Sequence, residues 1–116
     1  MIELRQAPRI TVNWRAALRL SDGRLLLVRV LNVAKEGVLV ECAENLVQGK
    51  VYPMMLEIPA FNGSDEVHKV QCNGRVRHAI LAGDSYKVGL HLQDISSFHA
   101  ELVHAWVSLT NRGKPA

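Results

Sequence analysis

Two arginines four residues apart, Arg5 and Arg9, bracket Pro8 in the segment Arg5-Gln6-Ala7-Pro8-Arg9 ahead of the first apolar run. Proline lacks an N–H and has a fixed φ, so it discourages helix and sheet pairing and leaves both guanidinium groups free to reach a ligand. A guanidinium forks onto phosphate oxygens, matches the O6/N7 edge of guanine or lies flat on a base, and two of them together suit a guanine nucleotide. A second candidate is Asn32-Val33-Ala34-Lys35-Glu36-Gly37, which ends one apolar run and starts another. Asparagine can bond its own turn or an incoming base edge, and glycine can bring backbone close to a ligand or take a positive φ. Taken singly, each motif also has a plain reading, as a solvated basic terminus or as an ordinary Asn-started turn.

The other reactive residue types do not assemble into a catalytic pattern. His68, His78, His91, His99 and His104 are scattered, and the five-residue step from His99 to His104 splits across helix faces, so no metal site is expected. No Ser-His-acid, Cys-His or paired-carboxylate spacing stands out, which favours a binding module over an enzyme. Cys42 and Cys72 lie 30 residues apart without a CxxC, the spacing of two reduced core thiols rather than a disulfide or zinc framework. Lys and Arg outnumber Asp and Glu by 14 to 11, a net charge of +3 that mildly favours an anionic partner. Aromatic residues are only 5% of the chain, too few for a stacked single-strand nucleic-acid surface, and the basic patch is thin for duplex binding. No nucleic-acid partner is therefore expected.

The elements that must position these residues follow from periodicity. Ile10, Val12, Trp14, Ala16, Leu18 and Leu20 alternate with polar residues as a half-buried strand, and Asp22-Gly23 turns the chain into a second strand over about Leu25–Leu31. The six residues from Asn32 to Gly37 form a turn or loop before a third strand, Gly37–Cys42. Tyr52, Met54, Leu56 and Ile58 mark a fourth strand closed by Pro59. A fifth runs from about Val67 to Ile80, with Val70, Cys72, Gly74, Val76, His78 and Ile80 on one face and Lys69, Gln71, Asn73, Arg75 and Arg77 on the other, and Gly74 allowing a bulge or close approach. Tyr86–Leu92 is the sixth. The period then changes: Ile95, Phe98, Leu102, Trp106 and Leu109 recur at helical steps over 95–110, with Asp94 or Ser96 as cap. Trp14 and Trp106 fall on the apolar faces and read as core.

An RxxxR segment, two strands of hairpin and then an NxxxxG turn resemble the PilZ domain family, whose pattern is RxxxR followed by [D/N]xSxxG. Val70–Arg77 followed by Tyr86-Lys87-Val88-Gly89-Leu90-His91-Leu92 is similar to the family's late strand pair, so the resemblance covers most of the chain from Arg5 to Leu92. It implies a mainly β fold, a six-stranded antiparallel barrel with a C-terminal helix, and a bacterial signalling receptor for cyclic di-GMP. By that resemblance Arg5 and Arg9 clamp phosphates and guanine, while Asn32, Ala34 and Gly37 line the opposite wall. Arg77, on the polar parity of strand five, joins them on geometry alone. Ala34 departs from the pattern: a methyl stands where the family has a serine hydroxyl, and one lost neutral bond of roughly 0.5–1.5 kcal/mol weakens affinity about two- to more than tenfold. The alternative is a degenerate adaptor that ignores the nucleotide and works through protein contacts.

At 116 residues, 48% apolar and 22% charged, the composition suits one globular domain: an arginine-bearing flexible segment over 1–9, a barrel over 10–92 and a helix over 95–110. No apolar run approaches the roughly 18 residues of a membrane span, and Met1-Ile2-Glu3-Leu4-Arg5 lacks signal-peptide order. A cytoplasmic protein with no membrane insertion, a nucleotide ligand but no cofactor, and an unidentified protein partner is the expectation.

Overall fold

Alternating apolar residues can bury one face of a sheet only if that face meets another apolar surface, and here the sheet meets itself. A computed structural model of the chain describes residues 9–60 and 64–113, the last five by backbone alone. In chain order the elements are β1 (Ile10–Arg19), β2 (Leu25–Val33), β3 (Gly37–Cys42), β4 (Val51–Pro59), β5 (Val67–Ala82), β6 (Ser85–Gln93) and α1 (Ser97–Gly113). Every neighbouring pair is antiparallel, and the order β1-β2-β3-β6-β5-β4 closes through the β1–β4 pair, so no strand edge is left open. The inward residues fill the interior. Leu18, Val30, Val33, Val40, Leu56, Ile58, Val70 and Val88 are fully buried, each contributing about 1.5–3 kcal/mol relative to exposure.

Helix α1 begins two residues later than its periodicity suggests. Ser96 is the cap, its Oγ accepting the His99 N–H at 3.2 Å. Asp94 instead holds a left-handed φ of 58° and accepts Asn73 Nδ2 at 2.8 Å. The buried stripe is also rotated from the expected one: Val103 and Val107 lie in the core, Leu102 and Trp106 flank it, and Phe98 is exposed beside His68 and His99. The Trp106 indole meets Trp14 edge-on, with ring centroids 6.0 Å apart, and donates its N–H to the Pro59 carbonyl at 3.0 Å. Those two contacts tie α1 to β1 and to the end of β4.

Both cysteines are buried and free. Burial pushes the Cys72 thiol up to about 11, and burial likewise raises Cys42, whose Sγ donates to the Glu44 carbonyl. Among the described residues no helix is long and apolar enough to cross a membrane.

Two irregularities decide which residues face outward. In β2, Val30 pairs with Val40 of β3 but Asn32 pairs with Leu39, leaving Leu31 as an extra residue. Strict alternation would put Asn32 on the core-facing parity of Val28 and Val30. The bulge turns it out and returns Val33 to the core. Asn32 and Val33 thus belong to β2, and the expected six-residue loop shrinks to Ala34–Glu36. In β5, Val76 pairs with Leu90 but His78 pairs with Gly89, so Arg77 is the extra residue and parity reverses beyond it. His78 and Ile80, expected inside, are exposed. Gly74 is not the bulge; a Cβ there would lie 2.7 Å from Met54 Sδ, so it serves close packing inside the barrel.

Candidate functional site

The two bulges bring one cross-strand row onto the outer face: Thr11 pairs with Asn32, Asn32 with Leu39, Leu39 with Gly89, and Gly89 with His78. One rung over, Gly37 pairs with His91. Gly37 and Gly89 are therefore diagonal neighbours on that face, and two positions without side chains make a dip in the sheet. Neither glycine is there for a positive φ. A Cβ on Gly37 would come 2.8 Å from the Leu90 carbonyl oxygen, so close approach of β6 to β3 excludes a side chain. A Cβ on Gly89 would come 2.8 Å from Nε2 and 2.9 Å from Nδ1 of His78, whose ring lies over that backbone.

A hollow of about 470 Å³ sits over this dip, within the roughly 300–1,000 Å³ of small-molecule sites. Five of the six residues singled out from the sequence line it together: Arg9 from the segment entering β1, Asn32 from β2, Ala34 and Gly37 at the β2–β3 turn, and Arg77 from the β5 bulge. Arg5 lies outside the described residues. The turn is held by the Ala34 N–H donating to the Gly37 carbonyl at 2.8 Å and by the Leu92 N–H donating to the Glu36 carbonyl at 2.8 Å.

The described lining of the hollow is positive. Among the described residues Arg9, Lys35 and Arg77 are the permanent cations of its lining and Glu36 is the lone carboxylate, 3.9 Å from His91 Nε2 and 82% exposed. Among the described residues no carboxylate pairs with Arg9 or Arg77, in contrast with Arg15, which binds Glu57, and Arg24, which binds Asp22 and Glu44. Unpaired guanidinium groups around a concave surface attract anions, and no compensating ion pair has to break first. Among the described residues no group of three or more His, Cys, Asp or Glu side chains could share a metal ion.

Sequence reasoning passed over Lys35, His78, Gly89 and His91. The alternation of β6, which sets Lys87, Gly89 and His91 opposite Val88, Leu90 and Leu92, carried a usable signal for Gly89 and His91. His78 carried none, because its outward position exists only through the bulge.

The closed antiparallel barrel, capped by one helix and hollowed on its outer face by a cation-lined dip, defines a β-barrel module with an anion-attracting surface. A family model described as PilZ domain matches residues 3–108, and the chain belongs to the PilZ domain family. No curated protein matches it. Among solved structures it is similar to the Bacillus subtilis inhibitor of motility MotI/DgrA, at 14% identity and a TM-score of 0.79, covering 98% of this chain and 55% of that one. It is also similar to Escherichia coli YcgR in complex with c-di-GMP, at 14% identity and a TM-score of 0.73, covering 96% of this chain and 47% of that one. The PilZ domain of YcgR with c-di-GMP aligns at 13% identity and a TM-score of 0.66, covering 95% of this chain and 93% of that domain. The chain thus spans about half the length of the two longer proteins, and at these identities the likeness establishes the fold.

Proposed function

We propose that this PilZ domain is a cytoplasmic receptor for cyclic di-GMP that passes nucleotide binding on to a protein partner, without catalysis and without a cofactor. The observation that carries the reading is the meeting of Arg9, Asn32, Ala34, Gly37 and Arg77 around one hollow, although they are up to 68 positions apart in the sequence. Arg9 and Arg77 supply charge and forked donors for the phosphodiesters or a guanine edge, and Asn32 supplies an amide for a base edge. Arg5, four residues before Arg9, adds a second guanidinium from the entering segment, and closure of that segment over the nucleotide would alter the surface offered to a partner. The bound nucleotide in the two YcgR structures lends the family reading support.

The test is isothermal titration with cyclic di-GMP at near-physiological salt, beside Arg9→Ala and with GTP as a specificity control. Low-micromolar or tighter binding that disappears in Arg9→Ala is the expected result. Absence of heat up to about a hundred micromolar, weaker than about −5.5 kcal/mol, rejects the reading.

Ala34 favours a second reading, a nucleotide-independent adaptor, because its methyl in the lining of the hollow offers a ligand no hydrogen bond. That reading predicts partner recovery in a pull-down unaffected by added nucleotide; strict dependence on the nucleotide refutes it.

A further inference from the structure

Neighbours along a regular strand point to opposite faces, and the bulge in β5 breaks that rule where it matters. Arg77 and His78 are consecutive, yet both are exposed and both line the hollow. Gly89, paired with His78 across the ladder, leaves room for the imidazole against the β6 backbone. Among the described residues neither ring nitrogen has a hydrogen bond or ion pair, so both are available to a ligand.

The charged and titratable groups around His78 come from every neighbouring element. Arg9 precedes β1, Lys35 and Glu36 belong to the β2–β3 turn, and Lys87 and His91 flank Gly89 on β6. On β3, Glu41 stands one rung away and already accepts Ser85 Oγ. His91 has a carboxylate, Glu36, beside it; among the described residues His78 has no ion pair, and the residue before it in the chain is Arg77.

We infer that Arg77 and His78 form a two-residue anion grip whose second member is titratable, so that the hollow binds a phosphodiester more tightly as pH falls from 8 to 6. The inference deepens the nucleotide reading and rests on it for the identity of the anion. Neutral imidazole offers one N–H, whereas imidazolium offers two and a full charge, and imidazole gains its proton in this pH range. An anion against the ring favours the protonated form, so by linkage protonation favours the anion equally. A unit charge about 5 Å from a phosphate at a solvent-exposed surface tightens binding about three- to tenfold at low salt, and less as salt screens it.

The experiment has two readouts. Titrations with cyclic di-GMP at pH 6, 7 and 8 compare the unaltered protein with His78→Gln and with His104→Gln, a change at an exposed position on α1. NMR of the His78 ring protons follows its protonation with and without sulfate, an anion whose charge is constant across this range. A three- to tenfold tightening toward pH 6 is expected in the unaltered protein and in His104→Gln, with less than twofold in His78→Gln, and sulfate should raise the pH at which His78 titrates. Nucleotide affinity that is equal at pH 6 and 8, or pH dependence kept in His78→Gln, overturns the grip while leaving the receptor reading standing. Absence of nucleotide binding with a sulfate-induced shift at His78 does the reverse. If neither nucleotide nor sulfate changes His78, the grip is refuted.

Discussion

Gly37→Ala tests whether the glycine that ends the Asn32–Gly37 motif is a ligand contact or a packing necessity. A Cβ at this position would stand 2.8 Å from the Leu90 carbonyl oxygen, against about 3.4 Å for ordinary contact, so β3 and β6 must separate locally by several tenths of an ångström. The atom in the way is backbone and cannot rotate aside. The strain falls on the Gly37·His91 and Val38·Leu90 rungs and on the bond from the Leu92 N–H to the Glu36 carbonyl. Weakening one or two such bonds costs about 1–3 kcal/mol. The lower chain entropy of unfolded alanine returns about 0.4–1 kcal/mol. A net loss of about 1–2 kcal/mol is expected, a factor of roughly 5 to 30 in the unfolding equilibrium. Urea unfolding followed by tryptophan fluorescence measures it. Gly89→Ala is the counterpart: there the obstruction is the His78 side chain, which can swing away, so stability should change by less than about 1 kcal/mol. A Gly37→Ala protein as stable as the unaltered one, or more so, refutes the close-approach argument, and equal losses in both variants refute the distinction between backbone and side-chain obstruction.

Three further outcomes follow from other contacts. The Cys72 thiol is held up to about 11 by burial, above the roughly 8.5 of an unfolded chain, so its contribution is complete below about pH 8.5 and is lost as pH rises toward 11. Urea midpoints at pH 8 and 10.5 should fall more steeply for the unaltered protein than for Cys72→Ala, by about 2–3 kcal/mol, and parallel slopes count against this. Trp106→Phe removes the indole N–H bond to the Pro59 carbonyl and part of the edge contact with Trp14, and should cost about 1–2 kcal/mol in a thermal melt without disturbing the β-sheet circular dichroism. Ala34→Ser should tighten cyclic di-GMP binding about two- to tenfold in calorimetry; unchanged affinity would show that the missing hydroxyl has no ligand partner in this hollow.

The barrel was legible because alternation is a physical consequence of a half-buried sheet. Ile10 through Leu18 and Tyr52 through Ile58 sort by parity as their burial does, and β6 does so apart from Gly89, which the neighbouring His78 ring covers. Alternation fails wherever one extra residue enters a strand, because the sequence pattern carries no mark of the slip. The pattern therefore places Asn32 in a loop and His78 in the core, and the structure departs from it at both because of bulges at the adjacent residues Leu31 and Arg77. The helix face was misplaced for a different reason. Val103 and Val107 lie in the core while Phe98 is exposed, and Trp106 of the expected stripe meets Trp14 from the flank of the buried one. Among the candidate ligand residues, Arg9 stands out by the RxxxR spacing and Arg77 by its polar parity in β5, and their meeting at one hollow is a property of the closed strand order and of the bulge in β5.

The bulge at Arg77 makes this surface sensitive to a kind of genetic change that substitution scans never sample. Loss of a single codon there would restore unbroken alternation in β5. It would withdraw the Arg77 guanidinium from the outer wall while leaving His78 opposite Gly89 and the interior pattern of Val70, Cys72 and Val76 intact. A barrel of this design could thus gain or lose a cation of its hollow by a one-residue insertion or deletion in a strand, a place where such changes are usually assumed to destroy the fold.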